Sequence, residues 1–407
     1  MITRTTCRVC EGPLEDVFSL GEQYVSNFLD PSEPDGVKAP LDLVLCKRCT
    51  LLQLRHTVPP NAMYANYWYR SGTNKTMRDA LADIVDTIEK AGYISRGETV
   101  LDIGCNDGTL LSSYKTKNVF KIGFDPAQNL SQFSKKVADR VITDFFTAEN
   151  FDLYSGSIKR RPKIVTSIAM FYDLEDPNKF VSDVKKVMHP LGVWVIQMSY
   201  LPVMLKQHDF GNICHEHLEY YSLRSLQYLL NLHEMVISDV QVNDVNGGSF
   251  RIFIRNKECR FSVSKRVGQM HINENLSGVD KVITYQEFNT KIVRIKKDVS
   301  QFIGEQTRNG KSVGVYGAST KGNVMLQFFG LDQEKICFAS ERNPDKWGKV
   351  TVGTRIPIIS EEGARERKPD YFLVLPWHFI DEFVSREKEY LEGGGRFIVP
   401  LPHFTLI

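Results

Sequence analysis

Residues Val100–Leu111 read VLDIGCNDGTLL. Val100, Leu101 and Ile103 are the apolar positions of a short buried strand, which Asp102 closes. Gly104 and Gly108 bracket a tight turn where the backbone passes close to something flat or polar. A helix then opens, with its free N–H groups facing the crevice in which open α/β sheets hold ligands. The stretch is not the dinucleotide fingerprint G-x-G-x-x-G, because position 106 is Asn. Taken alone, it is a strand–turn–helix connection with or without a ligand.

Three further strand ends follow in order. KIGFDP (Lys121–Pro126) ends in Asp125, about twenty residues on, where Rossmann-like folds offer an acid to a ribose diol. VITDF (Val141–Phe145) sets Asp144 and Phe145 to meet the edge and face of an adenine, and IVTSIAM (Ile164–Met170) reads as a fourth strand. A helix over Val181–Met188 and the strand GVWVIQM (Gly192–Met198) complete the series. The succession resembles motif I, hh(D/E)hGxxxG, and the following strands of class I methyltransferases, which bind S-adenosylmethionine (SAM). The resemblance implies that Asp102, Gly104, Asn106, Gly108, Asp125, Asp144 and Phe145 hold SAM.

Composition bounds the reading. The chain has 407 residues, enough for two or three domains, with 42% hydrophobic and 25% charged residues, as in globular proteins. Its 51 basic and 49 acidic residues leave a net charge of +2, which offers no electrostatic footprint for nucleic acid or an anionic membrane. No apolar run approaches the roughly 20 residues that span a bilayer, and MITRTTCRVC lacks a signal-peptide core, so a cytoplasmic location is expected.

Four of the eight cysteines pair by spacing: Cys7 and Cys10 in CRVC, Cys46 and Cys49 in CKRC. Two CxxC knuckles place four thiolates around a tetrahedral Zn²⁺, a closed structural site that stabilises a small N-terminal module. LDLVL (Leu41–Leu45) and Thr50–Leu54 read as paired strands, and Gly21–Pro40 as loop.

Asn66–Thr73, NYWYRSGT, precedes a helix over Lys75–Ala91; these aromatics, with Ser71, either roof the cofactor or pack between domains. Farther on lies HEHLEYYS (His215–Ser222), whose His and Glu suit acid–base work or a buried structural cluster. A CxxC…CxxC module, a YxYxSG stretch, motif I and EHxxYxS occur together in the sugar C-methyltransferases, which methylate nucleotide-linked 4-keto-deoxysugars. This chain resembles that family over essentially its whole length. The resemblance implies His217 as base, Glu216 assisting it, Tyr220 in the motif, and Tyr69 or Tyr67 at the active site. Two positions depart from the family: Cys214 stands two residues before Glu216 where Tyr is usual, and Phe171-Tyr172 stands where an NxxxH histidine is usual. Tyr172 is a candidate substitute for that polar group.

DVNGGSFRIFIR (Asp244–Arg255) reads as a strand entered through a glycine turn, matching an NGGS(x)R stretch of the family; Asn246, Ser249 and Arg251 either line the substrate cleft or belong to a tight turn. A charged helix over Thr284–Thr307 reads as a connector. In KSVGVYGASTKGN (Lys311–Asn323) a second strand–turn–helix, with Lys321, suits a phosphate at a helix N-terminus. The family has this domain too, where it helps hold the nucleotide. Strands are expected at 336–340, 371–375 and 396–400.

The expectation is therefore α/β: a class I methyltransferase domain (71–250) after a four-cysteine zinc module (1–70), then a strand and helical connector (251–309) and a C-terminal Rossmann-like domain (310–407). The expected partner is a TDP- or GDP-linked sugar, without nucleic acid or membrane, in an oligomeric state that the sequence leaves open. An O- or N-methyltransferase of another small metabolite and a zinc-ribbon nucleic-acid protein are the alternatives.

Overall fold

The computed structural model describes residues 1–59, 63, 68–155 and 161–407. At its centre is a seven-stranded sheet in the order Met235–Asn243, Ser249–Asn256, Val193–Ser199, Ile164–Ile168, Thr99–Ile103, Phe120–Phe124, Arg140–Ile142. The last five strands of that order are parallel, and the first two form an antiparallel hairpin on Val193–Ser199. Parallel strands are covered on both faces, which is why TVLDI and VWVIQM are continuously buried rather than alternating. Helix Lys75–Lys90 covers one face with Leu81, Ile84, Val85 and Ile88; Phe180, Val181 and Val184 of helix Pro177–Val187 cover the other.

The zinc module contains a four-stranded antiparallel sheet, Leu14–Tyr24, Lys38–Cys46, Leu52–Leu54 and Glu219–Tyr220. Two expectations change here. The stretch 21–40 is not wholly loop, since one strand runs to Tyr24, Phe28–Leu29 is a short strand, and another strand begins at Lys38. The fourth strand comes from the far end of the HEHLEYYS segment, with Glu219 paired to Gln53 and Tyr220 to Leu52.

The C-terminal domain has a six-stranded sheet in the order Ile358–Ser360, Ala339–Glu341, Val313–Tyr316, Tyr371–Val374, Arg396–Val399, Thr405–Leu406, all parallel except the last. The expected domain boundaries move as well. Ser249–Asn256 is an inner strand of the methyltransferase sheet, and helix Lys265–Ser277 packs Val267 and Met270 into the same core, so 251–277 is no connector. The helix Val282–Arg308 buries a stripe of Tyr285, Phe288, Ile292, Ile295, Val299 and Ile303 in the C-terminal core. At about 1.5–3 kcal/mol per buried large apolar side chain, that stripe fixes the helix firmly rather than leaving it as a spacer.

All three units meet. Val350–Thr351 of the C-terminal domain pairs with Phe28–Leu29 of the zinc module, and Gln327 exchanges two hydrogen bonds with the backbone of Tyr24, at 2.8 and 3.1 Å. Among the described residues, no helix is long and apolar enough to cross a membrane.

Candidate active site

The carboxyl ends of the parallel strands Thr99–Ile103, Phe120–Phe124 and Ile164–Ile168 open into a cavity of about 430 Å³. Its opposite wall is the turn Ser319-Thr320-Lys321 and the loop Pro376–Phe379 of the C-terminal domain. Crevices outside the carboxyl ends of a parallel sheet are where such folds bind ligands, and this one lies between two such sheets.

The first turn is locked by its own side chains. Gly104 and Gly108 take φ of +76° and +83°, and a Cβ on Gly108 would stand 2.4 Å from Val137 Cγ2. The Asn106 N–H donates to Asp125 Oδ2 at 2.7 Å, and the Ala127 N–H donates to Asp125 Oδ1 at 2.9 Å. Asp125 is thereby aimed into the cavity, with Asp144 and Phe145 beside it. Asn106 also lines the cavity, and its side chain is taken up locally: its Oδ1 accepts from the N–H groups of Ser71 and Asp107, and its Nδ2 donates to the Tyr69 carbonyl. Asn106 therefore holds the 69–71 segment over the turn. Tyr69 and Ser71 line the cavity, whereas Tyr67 lies outside the described residues. Asp102 is buried at the strand end, accepts from Thr166 Oγ1 at 2.6 Å, and is pushed up to about 7 by burial. An acid at each of the second and third strand ends, an exposed aromatic face and a bent glycine turn fit an adenosine, and the interior carboxyl of Asp102 fits the cationic end of SAM.

The segment 214–217 forms the floor. The N–H of His217 donates to the Cys214 carbonyl at 3.1 Å, closing a turn, and Glu219–Tyr220 then docks on the zinc module. His217 Nδ1 lies 2.8 Å from the Asn212 carbonyl oxygen. A carbonyl only accepts, so Nδ1 carries the proton and Nε2 keeps a lone pair. The Tyr172 ring stands edge-on to the imidazole with centroids 4.4 Å apart, and both line the cavity. Burial and then the nearby Lys321 ammonium hold His217 down to about 3, while burial pushes Glu216 up to about 7. Lys321 Nζ sits 3.8 Å from the buried carboxylate of Asp209.

Asn246, at φ +55°, and Ser249 line the cavity. Arg251 does not, contrary to its expected place in the cleft. Its guanidinium is 3% exposed and bonds Gln197 Oε1 at 2.8 Å, Thr87 Oγ1 at 3.0 Å and Asp83 Oδ2 at 2.8 Å, clamping helix Lys75–Lys90 to the sheet. Directly opposed residues share a face of the sheet, so Arg251 lies beside its partner Gln197 on the helix-covered side, but one strand farther from the cavity that Gln197 lines. Tyr220 is also set back. It lines a small separate void behind His217, with Tyr172, Asn212 and Glu219. Gln197, Met170 and Asp173 complete the wall without having been singled out in the sequence; their position at the ends of strands four and five is the signal that points to them.

The four cysteines form the expected closed centre. The Sγ atoms of Cys7 and Cys49 are 3.5 Å apart and those of Cys10 and Cys46 3.3 Å, close to the roughly 3.8 Å edge of a tetrahedron with 2.3 Å Zn–S bonds. Val9 and Arg48 N–H groups and the Gln53 amide point at these sulfurs, and a Cβ on Gly12 would crowd two of them. The donor set and its surroundings fit Zn²⁺.

Comparison with known proteins follows the same three units. A family model described as a zinc binding domain matches residues 7–64, a methyltransferase domain 73–233, and a C-methyltransferase C-terminal domain 244–402. C-methyltransferase NovU of Streptomyces niveus is 33% identical over 409 residues, covering 98% of this chain and 96% of its own. Among solved structures, a SAM-dependent methyltransferase from Clostridium acetobutylicum ATCC 824 is 12% identical with a TM-score of 0.34, over 44% of this chain and 92% of its own. The plantazolicin methyltransferase BpumL in complex with SAH is 12% identical with a TM-score of 0.35, over 44% and 84%. With three domain matches in sequence order and a full-length relative, this chain belongs to the SAM-dependent, zinc-carrying C-methyltransferases that include NovU.

Proposed function

We propose that the chain methylates C3 of a nucleotide-linked 4-keto-deoxysugar through an enolate, with His217 as the base. The observation that carries this reading is the Nε2 of His217, which has no hydrogen-bond partner among the described residues and whose tautomer is set by Asn212, in a cavity with the SAM-type strand ends on one side and Lys321 on the other. Bound SAM supplies an electrophilic methyl group. A hydrogen beside a ketone is acidic enough for imidazole to take when the resulting enolate oxygen is stabilised, so the protein has mainly to position two reactants and offer one base. His217 Nε2 takes the C3 proton, the electron pair of that bond becomes the enolate, and C3 would then bond to the methyl group as the methyl–sulfur bond breaks, its electron pair staying on sulfur in S-adenosylhomocysteine. Tyr172, packed on the imidazole, supplies a phenol near the developing oxygen. Ser319, Thr320 and Lys321, at the start of helix Thr320–Phe329, suit the diphosphate.

Incubation with SAM and TDP- and GDP-4-keto-6-deoxysugars in deuterated water, read by mass spectrometry, tests the assignment. Expected is a product heavier by one methyl, with C3 deuterium exchange that His217→Ala abolishes. Methyl transfer that survives loss of His217 would instead support an O- or N-methyltransferase.

A further inference from the structure

The cavity floor holds a second group of metal-ligand type. One donor atom each from Cys214, Glu216 and His217 lie within 4.8 Å of one another. Nothing in the reaction proposed above uses the thiol, which is almost fully buried. None of the three donors is tied up by another side chain among the described residues: the Cys214 sulfur faces only the backbone N–H groups of His217 and Glu216, as metal-bound thiolates can, and His217 keeps Nε2. Its Nδ1–H is given to a backbone carbonyl, the second contact that metal-binding histidines almost always make, because it fixes the ring and raises its basicity. His215, by contrast, turns away to the Ala39 carbonyl at 2.9 Å.

We propose that Cys214, Glu216 and His217 form a three-ligand site for a thiophilic divalent cation such as Zn²⁺, with its fourth position open to the cavity, and that occupation blocks proton abstraction. The binding claim stands on the donor geometry; the blocking claim rests on the reading of His217 as the base. One thiolate, one carboxylate and one imidazole match the borderline softness of zinc, and three protein ligands with an open place differ from the closed four-cysteine centre. Contraction by about 1 Å brings the donors to the spacing of a tetrahedral site, within reach of side-chain rotation. Charge favours it too. Glu216 and the thiolate formed on binding, with its proton released to solvent, face one ammonium, Lys321, which Asp209 largely neutralises at 3.8 Å. A cation on Nε2 occupies the lone pair that would take the C3 proton.

The test is a Co²⁺ titration of the full chain with its four-cysteine centre already loaded with zinc. Expected is one further equivalent carrying a sulfur-to-cobalt charge-transfer band, lost in Cys214→Ala and in Cys214→Ser and weakened at least tenfold in Glu216→Gln. No further equivalent, or a band that persists in both Cys214 variants, overturns the site. In methylation assays Zn²⁺ should inhibit the wild-type chain in proportion to the band while sparing Cys214→Ser; equal inhibition of both overturns the blocking claim. If no keto-sugar is methylated by any form, the proposed function falls, while the cobalt band still decides the metal site.

Discussion

Two strand–turn–helix units face each other across the cavity, and their likeness is close. Gly104 and Gly317 both take a positive φ after a buried strand. In both, an acid from the end of the next strand accepts a turn N–H: Asp125 from Asn106, and Glu341 from Ala318 at 3.1 Å. The surroundings then part. Asp125 faces the cavity, whereas Glu341 is capped by the buried Lys346, 3.6 Å away, whose ammonium also donates to the Ala318 carbonyl at 2.7 Å. Glu341 also accepts from the N–H groups of Arg342 and Asn343. Two residues before the turn glycine, the first unit has Asp102 and the second Val315. Similar backbones thus leave one unit an acid facing the cavity and the other an acid consumed by the fold.

The largest break in this comparison should come from Lys346→Met. It leaves the partly exposed carboxylate of Glu341 without its cation; removing one partner of a fully buried pair costs about 3–5 kcal/mol, and a fall near the lower end, about 3 kcal/mol, is expected in urea-unfolding stability, without direct loss of a SAM contact. Next comes Gly108→Ala, in which a Cβ meets Val137 at 2.4 Å on a backbone with φ of +83°. We expect about 2–3 kcal/mol of destabilisation by the same measurement, against about 1 kcal/mol for Gly330→Ala, where φ is +67° but the space is open.

A third expectation concerns pH. Asp102 is raised by folding from 3.8 to about 7, so between those values the folded chain binds the proton that the unfolded chain has released. Stability should therefore fall as pH rises from about 4 to about 7, by at most about 1.4 kcal/mol per pH unit. Comparison of wild type with Asp102→Asn, which lacks this titration, should show a flatter curve in the variant; superposable curves would remove Asp102 from the account. Smallest is Lys321→Ala: KM for the proposed nucleotide-sugar substrate should rise about tenfold, or 1.4 kcal/mol, with SAM affinity unchanged.

Much of this was legible because it is local. VLDIGCNDGTLL carries its strand, turn and helix within one stretch, and the CxxC pairs state their own geometry. What the sequence hid depends on pairing between distant segments. Nothing near Glu219–Tyr220 says that this strand completes the zinc module's sheet, and nothing in FRIFIR says that Arg251 clamps helix Lys75–Lys90 through Thr87 and Asp83. Ile358–Ser360, three residues long, is too short to show a period. Lys346 as the cap of Glu341 likewise required the fold.

Calorimetric titration of SAM into the wild-type chain, Asp125→Ala and Glu341→Gln separates the two units. One SAM per chain is expected, weakened at least tenfold in Asp125→Ala and unchanged within about twofold in Glu341→Gln. Two equivalents per chain, or an affinity that falls with Glu341→Gln and not with Asp125→Ala, would contradict that separation.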